Sequence, residues 1–125
     1  MITLKIKGLE KTIRELGDIS TRKIPGAIKE ALEASSTFIL KELKNNTPVG
    51  DTGNLKDSMR KQVGVTQAIV GPDLNIADYG VHVEYGHHTR SGSFVKGQFF
   101  IKKTAIETAR AVDKIFRDTL KKALR

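Results

Sequence analysis

The chain is predicted to fold as a single α+β domain over residues 1–125: a small, mainly antiparallel sheet of about three to four strands packed on two long amphipathic helices, with a long mobile loop. Two patterns and one interruption predict it. Apolar residues recur every second position near the N-terminus and again between residues 79 and 85, the period of strands with one buried face. They recur every third or fourth position around residues 24–43 and 101–123, the period of helices with one buried stripe. Between the last strand signal and the last helix lies a polar, basic stretch containing Gly and Ser.

Taken in order, Ile2, Leu4 and Ile6 alternate with Thr3, Lys5 and Lys7, and Gly8 closes this first strand. Leu9, Ile13 and Leu16 then fall at helical spacing before Gly17, predicting a short helix. From Arg22 to about Asn46, Ile24, Ile28, Leu32, Ile39 and Leu43 form one stripe, flanked by Ala27, Ala31 and Phe38. Pro25 is tolerated in the first turn, where its missing N–H would have had no partner. Asn45-Asn46-Thr47-Pro48 ends the helix, because the residue before a proline is pushed out of the helical region. Val49 to Asn54 reads as a turn whose Asp51 or Asn54 would bond nearby backbone N–H groups, and Leu55 to Ser58 as one more helical turn.

Met59–Val65 and Thr66–Val70 read as a hairpin turning near Gly64-Val65-Thr66, with Gly71-Pro72-Asp73 as its exit. Tyr79, Val81, Val83 and Tyr85 alternate with Gly80, His82, Glu84 and Gly86, which predicts a strand; the spacing of Tyr79 and Val83 also admits a helical turn. His87 to Gly97 is expected to be a mobile loop carrying Phe94-Val95 in its middle. Beyond Phe99, the positions Ile101, Ala105, Ala109, Val112, Phe116, Leu120 and Ala123 predict the last helix and its buried face.

Composition narrows the function classes. A chain of 125 residues supports one core, and with 38% apolar and 29% charged residues it suits a thin domain that completes its burial against copies of itself. The absence of cysteine removes disulfides, thiolate metal sites and a cysteine nucleophile. The alternating N-terminus lacks the apolar run of a secretion signal, and no uncharged apolar stretch is long enough to span a membrane, so use without export and no membrane partner are expected. Twenty-two Lys and Arg against 14 Asp and Glu give +8, favouring phosphate or an acidic protein face. The excess is largest from Phe99 to Arg125, where eight basic and three acidic residues leave +5, and its plainer reading is a solvated helix face whose cations complement the dipole near the C-terminus. A small basic nucleic-acid-binding module is therefore the alternative function.

Three constellations invite chemistry. Asp51-Thr52-Gly53 is the tripeptide of aspartic proteases, and Ala68-Ile69-Val70-Gly71 echoes their apolar segment. No apolar strand leads into Asp51, however, and long helices contradict an all-β enzyme; a capping turn is the plainer reading. His82, Glu84, His87 and His88 are ligand types suited to zinc, but the last two histidines sit in the Gly-containing loop, and Glu84 pairing with a basic residue is preferred. Basic residues interleaved with aromatics would suit single-stranded nucleic acid, yet Trp is absent and most of the Phe and Tyr positions fall on predicted core faces. No phosphate loop or nucleophile elbow is present, so no catalytic residue, cofactor or metal is assigned.

Thr47, Pro48, Val49, Asp51, Thr52, Gly53, Leu55 and Ser58, followed by Met59, form a segment that resembles the first signature of the gene-product-ten-like family of small phage tail-component proteins. Tyr79, Val83, Glu84 and Gly86 stand where that family has Tyr-small-x-x-Val-Glu-aromatic-Gly, and Phe99 stands in its third piece, ahead of the C-terminal helix. Gly50 is an extra residue inside the first signature, and Gln98 replaces a usual proline.

The resemblance implies a structural virion protein of a tailed phage or prophage, assembled in the host cytoplasm. It would join head to tail or close the tail tube, as a subunit of a homo-oligomeric ring expected to hold six copies. Implied partners are neck or connector proteins and the major tail-tube protein; a basic lumen facing passing DNA would account for part of the +8 charge. A cyclic ring joins two different patches of neighbouring subunits. Within the stretch His87 to Gly97, the residues His87, His88, Arg90, Phe94, Val95 and Lys96 are the candidate assembly contacts, Arg90 and Lys96 by charge and Phe94-Val95 as apolar anchor.

Overall fold

The first period-two run is a strand, β1 (Ile2–Lys5), and the first long stripe is a 24-residue helix, α1 (Lys23–Asn46). A computed structural model describes residues 2–5, 23–48, 53–73 and 80–124. The expected short helix at Leu9, Ile13 and Leu16 lies outside them, as do Val49, Asp51, Thr52 and Tyr79. Past α1 come a single turn α2 (Asn54–Asp57), the hairpin β2 (Met59–Val63) and β3 (Gln67–Pro72), a short helix α3 (Gly80–Tyr85), a second hairpin β4 (Gly86–His88) and β5 (Phe94–Lys96), and the long helix α4 (Phe100–Ala123).

β3 is central in an antiparallel sheet of order β1-β3-β2. Its register places Ile2 opposite Val70 and Leu4 opposite Ala68, with Lys61 and Val63 across from the same two residues on the other side. These side chains share one face, as the two-residue period requires. Both long helices cover that face. One cluster joins Ile39, Leu43, Leu55, Met59 and Val70 to Phe100, Ile101 and Val112; the other joins Ile24, Ile28, Leu32 and Ala68 to the half-buried Phe116, Leu120 and Leu124. The start of α1 thus meets the end of α4, and the helices run antiparallel. At the sheet edge, Lys61 Nζ donates to Glu33 Oε2 and Thr37 Oγ1 of α1, each at 2.7 Å.

The expected stripe of α1 is buried, with Phe38 half-buried at its margin. Ser35 and Ser36 are buried with it. The face of α4 differs from the expected one: Ala109 is exposed, whereas Thr104 and Thr108 are buried. Threonine is admissible there because each hydroxyl donates to the carbonyl one turn back, Thr104 to Phe100 at 2.7 Å and Thr108 to Thr104 at 2.8 Å. Thr104 Oγ1 also accepts from Asn46 Nδ2 at 2.9 Å, tying the end of α1 to the start of α4.

Two expectations near residue 80 are corrected. The strand read from Val81, Val83 and Tyr85 is helix α3. Gly80, Val83 and Glu84 turn inward while His82 and Tyr85 are exposed, an i, i+3, i+4 pattern that a strand cannot make because it would send Val83 and Glu84 to opposite faces. The stretch His87 to Gly97 is a hairpin, with His88 paired to Phe94, His87 to Val95 and Gly86 to Lys96. Its tip is closed by Thr89 N donating to the Ser93 carbonyl at 2.7 Å and by Gly92 in the left-handed region.

Candidate functional site

The recognisable segments meet at one end of the molecule. Thr47 closes α1: its hydroxyl donates to the Leu43 carbonyl at 2.6 Å, satisfying one of the acceptors a helix end leaves free. Pro48 follows, half-buried. Gly53 takes a left-handed φ of 66° at the entry to α2. Leu55 and Met59 are buried, and Ser58 between them donates to the Leu55 carbonyl at 2.6 Å while its own carbonyl accepts from Asp73 N at 2.8 Å. A Cβ on Gly80 would lie 3.1 Å from Leu55 Cδ1, so α3 rests on this corner, and Val83 packs on the same cluster.

Glu84 carries the junction. It is 3% exposed, and its carboxylate accepts from Ile101 N at 2.9 Å and Lys102 N at 3.2 Å. These are donors of the first turn of α4, where a residue such as Ser or Asp normally supplies the capping oxygen. Here the N-cap is Phe99, which has none and sits at φ 49°, ψ 35°. Glu84 supplies the acceptor from 17 residues upstream, and negative charge at a helix N-terminus is favourable. The expected pairing of Glu84 with a basic side chain is therefore corrected: both carboxylate oxygens are engaged with backbone. Among the described residues, no group of three or more His, Asp or Glu side chains is placed to hold a metal ion.

Backbone contacts fasten the second hairpin to the same point. Gln98 N donates to the Val83 carbonyl at 2.8 Å and Phe99 N to the Glu84 carbonyl at 3.0 Å, satisfying acceptors at the end of α3. Gly86 takes φ 89°, and a Cβ there would stand 2.5 Å from the Val95 carbonyl oxygen and 2.8 Å from Gly97 N. The glycine of the second signature is thus required both by its dihedral and by the approach of β5.

What this junction presents to solvent is aromatic and basic. Tyr85 (62% exposed), Phe94 (58%) and Phe99 stand out from it. Tyr85 meets Phe99 edge to face at 6.3 Å, and Phe94 meets His88 at 5.2 Å. Phe99 also lines a shallow depression with Gln98, Lys102, Lys103 and Ile106. Val95 lies on the other face of the hairpin with His87, whose ring contacts His82 at 5.5 Å. Arg90 and Lys96 are exposed and form no ion pair with the described residues.

The expected assembly stretch is thereby placed at the surface, Phe94 and Val95 included. Of the described Phe and Tyr residues, Phe38, Phe100 and Phe116 pack on the core, whereas Tyr85, Phe94 and Phe99 are exposed. Ile106, 69% exposed, was not singled out; its signal was an apolar residue out of phase with the stripe of α4. No described helix is long and apolar enough to cross a membrane.

Residues 10–94 match the family model HK97-gp10_like, described as "Bacteriophage HK97-gp10, putative tail-component". No curated protein and no solved structure matches the chain.

Proposed function

This chain belongs to the HK97-gp10-like family of bacteriophage tail components, and on that premise we propose that it is a ring subunit that joins head to tail or completes the tail tube. The family is a structural one and not an enzyme class. The observation that carries the finer reading is the exposure of Tyr85, Phe94, Phe99 and Ile106, large apolar side chains held in the open on a backbone-locked junction. Aromatic residues on a rigid support are the groups that dominate protein interfaces. Covering four such side chains, each already partly shielded, is worth about 4–6 kcal/mol before the cost of association.

In a cyclic ring this patch meets a different patch on the next copy, and neck and major tail-tube proteins take the faces above and below. The apolar anchor is accordingly wider than Phe94-Val95, and Arg90 and Lys96 form its charged rim.

The test is a pair of experiments. Phage lacking the gene should make heads and tails that fail to unite, with wild-type protein restoring plaques. Phe94→Ser combined with Ile106→Ser should leave the monomer folded but abolish rings in sedimentation velocity and fail to complement. Normal infectious particles from the deletion, or rings formed equally by the double variant, refute the proposal.

A further inference from the structure

The outward face of α4 carries a second surface, which adjoins the aromatic one at Lys103 and runs on to Lys121. Ile101, Thr104, Thr108 and Val112 fix which side of this helix is buried. At 100° per residue, Lys103, Arg110, Lys114, Arg117 and Lys121 fall within about 40° of one line on the opposite side, and that line is about 27 Å long. All five are exposed. Glu107 lies as far from the line as Arg117 does, on the other side, while Asp113 and Asp118 flank it. Two of the cations are partly offset: Lys103 lies 3.9 Å from Glu107, and Arg117 lies 3.3 Å from Asp113. Arg110, Lys114 and Lys121 have no acidic partner among the described residues.

We infer that this stripe is a contact surface for the phosphate backbone of duplex DNA. Five like charges in a row repel one another, an arrangement that a dense polyanion relieves. An acidic protein face is the weaker fit, because protein interfaces are built on an apolar core and are poor in lysine, whereas the line carries no apolar side chain from Arg110 to Lys121. From Arg110 to Lys121 the helix offers a cation about every 5–6 Å, and flexible side chains at that spacing reach along a strand whose phosphates come every 3.4 Å of axis. The contact reads charge and not sequence, since it includes no element shaped to enter a groove. It needs only the subunit, so it stands or falls separately from ring assembly.

Fluorescence anisotropy on the purified full chain tests it, with duplexes of about 20 base pairs in two unrelated sequences, titrated over a range of potassium chloride. Both duplexes should bind alike, with log K falling against log salt at a slope of about −3 to −4. Arg110→Gln with Lys114→Gln and Lys121→Gln should flatten that slope by about 2–3 and weaken low-salt binding at least about tenfold. A variant with the same loss of charge on α1, Lys23→Gln with Lys29→Gln and Lys41→Gln, should keep both slope and affinity near wild type. Circular dichroism confirms that each variant is folded. Absence of binding at low salt, an unchanged stripe variant, or an equal loss in the α1 variant overturns the inference. Tighter binding to poly-glutamate than to duplex overturns it too and assigns the stripe to an acidic protein.

Discussion

Removing the Glu84 carboxylate should loosen the start of α4 and with it the whole junction. In Glu84→Ala, the N–H groups of Ile101 and Lys102 lose acceptors that now stand at 2.9 and 3.2 Å. A buried donor left without a partner costs about 1–3 kcal/mol. The bond to Lys102 is only part-buried, so water recovers some of the second loss. Adding the favourable interaction of a carboxylate with the helix N-terminus, about 0.5–1 kcal/mol, brings the expected destabilisation to about 3 kcal/mol. For a domain of this size that lowers Tm by roughly 12 °C. Glu84→Gln keeps one acceptor without the charge and should lose about 1.5–2 kcal/mol. Glu84→Met refills the volume with no acceptor at all and should lose nearly as much as Ala. Urea denaturation followed by circular dichroism gives the free energies, and hydrogen exchange should show the Ile101 and Lys102 amides deprotected first. If the Met variant is as stable as wild type, the side chain is packing and not a cap, and the reasoning fails.

Two further outcomes rest on the same geometry. Gly97→Ala should cost at least about 2 kcal/mol and weaken ring formation, because the new Cβ would stand 2.5 Å from the Tyr85 carbonyl carbon and closer still to the Glu84 carbonyl oxygen; wild-type stability in urea would refute that packing. The Lys61 ammonium, by hydrogen bond and then by charge, holds the Glu33 carboxyl below its ordinary range. A folded pKa below the unfolded one means that its stabilisation is complete above the unfolded glutamate value of about 4.3 and drains away as pH falls through the folded value. Lys61→Met should therefore flatten the acid limb of the stability-pH curve in the window below about 4.3, and 1 M salt should shrink the difference between the proteins; parallel acid limbs would contradict the assignment.

What the sequence made legible follows from how local each cause is. The stripe of α1 is readable because its period expresses a single buried face, the hairpin β2-β3 because Gly64 and Gly71-Pro72 punctuate two short runs, and the end of α1 because Pro48 acts on its own neighbour. The burial of Thr104 and Thr108 was hidden because a polar residue type is discounted from a core, although a threonine in a helix can satisfy its own hydroxyl. The segment 80–85 is ambiguous in sequence because its alternation is compatible with both periods over so short a run, and the deciding contacts, Gly80 on Leu55 and Glu84 on α4, are tertiary. The role of Glu84 left one trace in the chain: Gln98-Phe99-Phe100 enters a 24-residue helix with no local capping side chain, so the acceptor had to come from elsewhere.

The same junction decides how the two proposed surfaces relate. Tyr85 ends α3, Phe94 rides on a hairpin fastened by Gly86 against Gly97, and Phe99 and Ile106 lie at the N-cap and first turns of α4. The capping bonds of Glu84 and the backbone bonds of Gln98 and Phe99 leave no flexible linker between these pieces and α4. A contact made by these exposed side chains with a neighbouring copy therefore fixes the direction of α4 as well, and with it the line of Lys103, Arg110, Lys114, Arg117 and Lys121. Little ordering is left to be done on association, which favours affinity. The stripe can bind DNA as a lone subunit, but only a ring that orients every copy of α4 alike would turn it into a continuous basic track.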